Sequence, residues 1–260
     1  MSDSDASDAA SIIDVDFDFN TLETIVDPPV TLSPFLRILL GRTTQLPYDE
    51  LAVFMVEEQG KIGSVICAPP ENMDDEDEEQ DVLGVLTLLP LSHPKLTPVL
   101  NHFTLLASSS VKAVDILGRT DIAWCFSERL LNIPPQVTLP CYDMLMKETS
   151  HVNLVFMVWI CKTYTMVQDH DSDDDDKRRK KRLDGKSRKK VRTEYYYHHA
   201  EEELIATHAE VVVDLEWNAE VKRELKGDDG IREGRRMVIV RRDVFCEQVL
   251  PQLQSMLGDL

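Results

Sequence analysis

The sequence predicts an α/β (α+β) fold, a sheet layered with helices, on three observations. Runs with strand character and runs with helical periodicity interleave along the whole chain. The stretch Val152–Ile160 is nearly all apolar, which suits a central strand covered on both faces. Setting aside a polar tail (1–10), an acidic run (71–81) and a polar linker (169–192) leaves roughly 215 of 260 residues. With 43% of the chain hydrophobic, that remainder can bury a core as one domain over residues 11–260.

The elements follow in order. Ile13, Val15, Phe17 and Phe19 alternate with Asp14, Asp16, Asp18 and Asn20, a half-buried strand with an acidic outer face. Ser33 and Pro34 read as N-cap and first-turn proline of a short helix carrying Leu36, Leu39 and Leu40, stopped by Gly41. A second helix is expected over Tyr48–Gln59, with Gly60 as its stop. Ser64–Cys67 and Val82–Leu89 read as strands. The acidic run between them has Met73 as its one apolar residue and reads as a hairpin loop. Leu96–Leu106 suggests a helix after Pro94. Ile122–Phe126 and Val152–Thr165 are strands flanking a proline-capped helix near Leu139–Glu148. After the linker come a helix at Ala200–Ala206, strands at Val211–Trp217 and Met237–Val240, and a final helix Val244–Leu257.

Charge is distributed unevenly. The formal net charge is −19, yet the run from Lys177 to Arg192 holds 11 Lys or Arg against the single acid Asp184. That run carries +10, leaving −29 on the other 244 residues. Such a chain is repelled by nucleic acid and anionic membrane and attracted to basic proteins. No direct nucleic-acid or membrane partner is therefore expected. The basic residues form two clusters. One is Lys177, Arg178, Arg179, Lys180, Lys181 and Arg182, and the other is Lys186, Arg188, Lys189, Lys190 and Arg192. They match a bipartite address for a nuclear import receptor, which sets acidic pockets against extended Lys and Arg. Ser172, followed by four aspartates, fits an acidophilic-kinase site. In the acidic run, Asp74, Asp75, Glu76, Asp77, Glu78 and Glu79 are candidate client-binding residues, a polyanionic lip for a basic partner; the plain alternative is a solvated hairpin.

Other classes are disfavoured. The acidic N-terminus is wrong for a secretory or mitochondrial signal. The longest apolar stretches reach ten residues, short of the ~20 that span a bilayer. Five widely spaced cysteines without C-x-x-C suit reduced, buried thiols. No G-x-G pair or phosphate loop is present, and Gly60-Lys61-Ile62-Gly63 reads better as helix stop and strand entry than as a nucleic-acid loop. His198, His199 and His208 beside Glu201, Glu202 and Glu203 lack a metal-site spacing, and the three acids read as a solvated helix start. No nucleophile stands in a recognisable signature. Tyr195-Tyr196-Tyr197 reads as the start of a strand before it reads as a base-stacking platform. No catalytic residue, cofactor or metal ligand is assigned.

At Ser127–Tyr142 (SERLLNIPPQVTLPCY) the chain resembles the BCCIP family of eukaryotic nuclear proteins, whose fungal members are called Bcp. Further matches are Val15–Phe19, Ile62–Ile66, the acidic loop running into Val82–Leu89, and His199–Glu203. The chain departs from the family at Leu32-Ser33-Pro34-Phe35, where an Asp-aromatic-x-Gly start is expected. The resemblance implies a fold like that of the GCN5-related acetyltransferases, a central mixed sheet flanked by helices. It implies no acetyl transfer, which needs a glycine turn after the fourth strand. The implied role is escort of one basic large-subunit ribosomal protein, the universal one numbered fourteen (twenty-three in yeast naming). Nuclear export of a phosphatidylinositol-phosphate kinase and cell-cycle or DNA-repair partners are also implied, with shuttling between nucleus and cytoplasm. A histone-type chaperone and an acyltransferase are the rival readings. The proline-rich stretch Asn132–Tyr142 is expected either as an exposed contact loop or as an internal corner.

Overall fold

A mixed sheet of eight strands carries every other element of the computed structural model, which describes residues 16–41, 46–69, 80–166, 194–215 and 231–258. Four strands form an antiparallel meander: β1 (Asp18–Asn20), β2 (Ser64–Cys67), β3 (Val82–Pro90) and β4 (Ile122–Arg129). Next comes β5 (Phe156–Met166), parallel to β4, a pairing that requires the long crossover between them. That crossover holds helix α5 (Thr138–Glu148). On the far side of β5 lies β8 (Ile231–Arg241), antiparallel along its whole length, and β7 (Val211–Leu215) closes that edge. The two-residue β6 (Tyr196–Tyr197) pairs with the C-terminal part of β5.

Two helical layers cover the sheet. On one face α1 (Pro28–Leu40), α2 (Tyr48–Glu57), α3 (Thr97–Leu106) and α4 (Val111–Leu117) pack over Trp124, Phe126, Val158, Ile160, Met237 and Ile239. On the other, α5, α6 (Ala200–Thr207) and α7 (Leu250–Leu257) cover Cys125, Met157, Trp159, Cys161, Val238 and Val240. The alternation along β5 explains its unbroken apolar run: Val158 and Ile160 face one layer, Met157, Trp159 and Cys161 the other. Each such fully buried side chain contributes about 1.5–3 kcal/mol.

Several expectations are corrected. The first helix does not start at Ser33-Pro34. Asp27 is its N-cap, accepting from the Val30 amide, and Pro28 and Pro29 fill the first turn. Ser33 is buried mid-helix, where its Oγ donates to Asp49 (2.7 Å), and Pro34 lies inside the helix on its exposed side. Gly41 does end the helix, at a φ of 83°. Helix α4, capped by Ser110, was not foreseen. β4 and β8 run past their apolar cores into charged residues, to Arg129 and back to Ile231, while β5 starts at Phe156 instead of Val152. The final helix spans a short turn (Arg242–Val244), a π turn (Phe245–Val249) and α7 without a break. Residues 13 and 15 lie outside the described part; Phe17 packs on the core, but Phe19 is largely exposed.

The β2–β3 hairpin is present, closed by Ala68 N–H donating to the Asp81 carbonyl (3.0 Å). The Gly60–Gly63 turn serves packing. Gly63 has a φ of 99°, and a Cβ there would lie 2.1 Å from the Leu86 carbonyl. Its amide donates to Glu148 of α5 (2.8 Å). Among the described residues no helix is long and apolar enough to cross a membrane.

Candidate functional site

The described stems that flank the charged segments converge on one end of the sheet. The register sets Cys67 opposite Val82 and Gly84 opposite Arg129. Because β4 and β5 are parallel, their C-terminal ends point the same way. At that end Met166 faces Ile231 and Leu215 faces Arg235. The described residues that flank 70–79, 167–193 and 216–230 all lie at that end. Asp74, Asp75, Glu76, Asp77, Glu78 and Glu79, both basic clusters from Lys177 to Arg192, and Ser172 lie outside the described residues. Their stems are described, and they emerge from the same end.

Beneath these stems β4 and β5 part. They pair over Ile122–Trp124 and Phe156–Val158, after which β6 takes up the edge of β5. The opening is filled by titratable side chains. Glu128 of β4 accepts from Lys162 of β5, with His199 Nε2 at 3.5 Å from the same oxygen. Arg129 forks onto Glu201 of α6, with Nη2 to Oε2 at 3.0 Å and a shorter contact from Nη1 to Oε1. Arg129 is 5% exposed and Glu201 1%. Beside them Glu202 is also buried, and its Oε2 finds no hydrogen-bond partner. Burial alone would raise the Glu128 carboxyl, but His199 and Lys162 outweigh it and hold it below its ordinary value. Burial, followed by the neighbouring Glu201 and Glu128, holds the Glu202 carboxyl well above its ordinary value.

The acids at the start of α6 are therefore not a solvated helix start. Glu203 alone is exposed, while Glu201 and Glu202 turn into the wedge. The charged tails of β4 and β5 compel this: Arg129 and Lys162 would otherwise be buried without counter-charge. The clue in the sequence was Ser127-Glu128-Arg129 directly after an apolar strand, matched by Lys162 after Cys161. His208 reaches the Thr207 hydroxyl, the Leu204 carbonyl and Gln252, not the neighbouring histidines or glutamates. Among the described residues no three His, Cys, Asp or Glu side chains converge as metal ligands.

The tyrosine run does start a strand, and its ring faces are occupied. Arg236 stacks 4.2 Å from the Tyr195 centroid and donates to Tyr197 Oη (2.7 Å), while Tyr164 stacks on Tyr196. All five cysteines are free thiols. Burial pushes Cys125 and Cys161 far up and Cys141 to about 12, so none of these three is a nucleophile at neutral pH. Asn132–Tyr142 divides between its two readings. Leu131, Asn132 and Pro134 are exposed, whereas Cys141 and Tyr142 are wholly buried in α5. The turn after β4 (Leu130-Leu131-Asn132-Ile133-Pro134-Pro135) contains no glycine.

Comparison with known proteins places this architecture. The family pattern described as BCCIP matches residues 12–205, three quarters of the chain. The chain belongs to the BCCIP family. Among curated BCCIP relatives, "BRCA2 and CDKN1A-interacting protein" of Bos taurus is 32% identical over 110 residues, covering 37% of this chain and 36% of the relative. The Homo sapiens protein of that name is 33% identical over 107 residues, 36% of this chain and 34% of the relative. "Protein BCP1" of Yarrowia lipolytica is 25% identical over 166 residues, covering 59% and 52%. The aligned stretch thus spans about a third of the mammalian relatives and about half of the Yarrowia one. A crystal structure of BCP1 from Saccharomyces cerevisiae superposes with a TM-score of 0.60, covering 97% of this chain and 93% of the other at 17% identity. That match shows a shared fold. The mammalian names describe interaction with other proteins, not a reaction.

Proposed function

We propose that this protein is a non-enzymatic acidic escort of a basic large-subunit ribosomal protein, the universal one numbered fourteen. A ribosomal protein is basic because it must neutralise rRNA phosphates, and when free it binds any polyanion. A folded partner with −29 outside its basic run attracts and covers that surface. The observation that carries the reading is the convergence of the charged stems on one end of the sheet. The acidic stretch enters there between β2 and β3, so a client drawn to it meets a rigid platform. On this reading the basic run is the docking address for an import receptor, and the protein works in the nucleus and returns to the cytoplasm. Export of a phosphatidylinositol-phosphate kinase would use the same traffic.

Two features support the absence of acyl transfer. The glycine-free turn after β4 offers no row of amides to a pyrophosphate, and the parting of β4 and β5 is closed by paired charges. The test is kinetic. Neutralising Asp74, Asp75, Glu76, Asp77, Glu78 and Glu79 to Asn or Gln removes exposed pairs of about 0.2–1 kcal/mol each. Association with the purified ribosomal protein should slow and its salt dependence flatten, with a smaller change in dissociation. Equal rates and an equal salt slope would reduce the acidic stretch to a solvated hairpin. Competition by purified histones at equal affinity would favour the histone-chaperone reading, and saturable acetyl-coenzyme A heat in calorimetry would favour the acyltransferase.

A further inference from the structure

Helix α1 is apolar where an outer helix is ordinarily charged. Its inner face is spent on the core through Leu32, Phe35, Leu36, Leu39 and Leu40. Its outer face shows Val30 (70% exposed), Pro34 and Ile38 (47%) at four-residue spacing, preceded by Val26 (81%). Residues so spaced share one side of a helix, and Val30 to Ile38 spans about 12 Å. Arg37 is the one charged residue in the helix, and Asp49 pairs with it at 3.0 Å. A helix apolar on both sides is normally covered on both.

Two further observations say what covers it. Proline has no N–H, so Pro34 leaves the Val30 carbonyl without its helical donor, an acceptor in the middle of the stripe. Exposed Glu23, Asp27, Asp49 and Glu50 rim the helix start and its neighbour α2. A second copy of this chain would bring the same acids, and the stretch 1–15 of this chain is itself acidic. Both are disfavoured by like charge. A segment with apolar side chains flanked by Lys or Arg complements all three features. The stripe also meets the charged end of the sheet. Arg235 of β8 donates to the carbonyls of Ile38 (2.8 Å) and Leu39 (3.1 Å), tying the C-terminal end of α1 to that end.

We propose that Val26, Val30, Pro34 and Ile38 form a docking stripe for an apolar, Lys/Arg-flanked segment of the basic client. The inference rests on the escort reading and deepens it: charge selects the client class, and this stripe supplies packed contact. It also gives a use to the departure from the family at Leu32-Ser33-Pro34-Phe35, which is where the interrupting proline sits.

The test measures binding of the purified large-subunit ribosomal protein to the full chain. Val30→Asp with Ile38→Asp should weaken binding by about thirtyfold or more, the loss expected when a buried apolar anchor is removed. The added acids would by themselves strengthen attraction to a basic client, so such a loss reports packing. Leu105→Asp with Val111→Asp, also exposed, at the end of α3 and the start of α4, should leave affinity unchanged. A photocrosslinker in place of Val30 should label the client in the otherwise wild-type chain. If wild type binds and the α1 pair binds equally well, or the crosslinker labels nothing, the stripe is wrong and the escort reading stands. Equal losses from both pairs would also overturn the stripe. Crosslinking to a second copy, with a dimer in sedimentation that the α1 pair abolishes, would make it a self-association face. If wild type shows no binding, the escort reading fails and the stripe falls with it.

Discussion

Replacing Arg129 by Met removes the forked partner of Glu201 while keeping a side chain of some length in the wedge. The two groups are 5% and 1% exposed, and Lys162 is already committed to Glu128. The Glu201 side chain is then left buried without its counter-charge, beside two other carboxyls. Removing one partner of such a pair costs about 3–5 kcal/mol. In a chain of this size that lowers the melting temperature by roughly 6–20 °C. Urea denaturation followed by the emission of buried Trp124 and Trp159 reads the change directly. The double variant Arg129→Met with Glu201→Leu leaves no orphan charge and should regain most of the loss, because an apolar pair of similar volume is tolerated where a lone charge is not. A single variant within about 1 kcal/mol of wild type would mean the pair behaves as an exposed one. The wedge would then be wet, and its role as the rigid floor of the charged end would be refuted.

Two other outcomes are expected, one from the sequence and one from the same wedge. Changing Lys180, Lys181, Arg182, Lys189 and Lys190 to Ala should move a fluorescent fusion from nucleus to cytoplasm with no change in thermal stability; retained nuclear signal would exclude the basic clusters as the import address. Glu202 has a folded value raised above the ordinary 4.5, so the folded state holds a proton that the unfolded chain releases. Its stabilising share is full below that ordinary value and is lost as pH rises toward the folded one, so Glu202→Gln should stabilise the protein at about pH 7 and change little near pH 4. Equal gains at both pH values would show that the surroundings do not raise the Glu202 carboxyl.

The parts of the fold legible in the sequence are those where one interaction dominates. The Val152–Ile160 run announced a central strand because apolar burial on two faces leaves a signal that no neighbour can disguise. The first half of β8 was illegible: Arg232, Glu233, Arg235 and Arg236 are extended because β5 pairs with them, and no local preference records a partner some seventy residues away. The helix start at Asp27-Pro28-Pro29 was masked by a second cap-like pair at Ser33-Pro34, whose hydroxyl is spent on Asp49. At the candidate site the charge asymmetry was plain from composition. That the stems of the charged segments share one end of the sheet was not, since it depends on β4 and β5 being parallel. Glu201 and Glu202 were misread because adjacent acids look solvated until the cations beneath them are placed.

The position of β8 has a consequence for synthesis. It is the last strand made, yet it lies next to β5 and separates it from β7. Sixty-four residues separate Met166 from Ile231. At about 5–20 residues per second, β5 waits roughly 3–13 s on the ribosome before its long edge is paired. During that interval a run of Val, Trp and Ile stands unpaired on one side, beside a tethered stretch of acid and base. The newborn chain must be guarded from aggregation until β8 arrives to pair that edge.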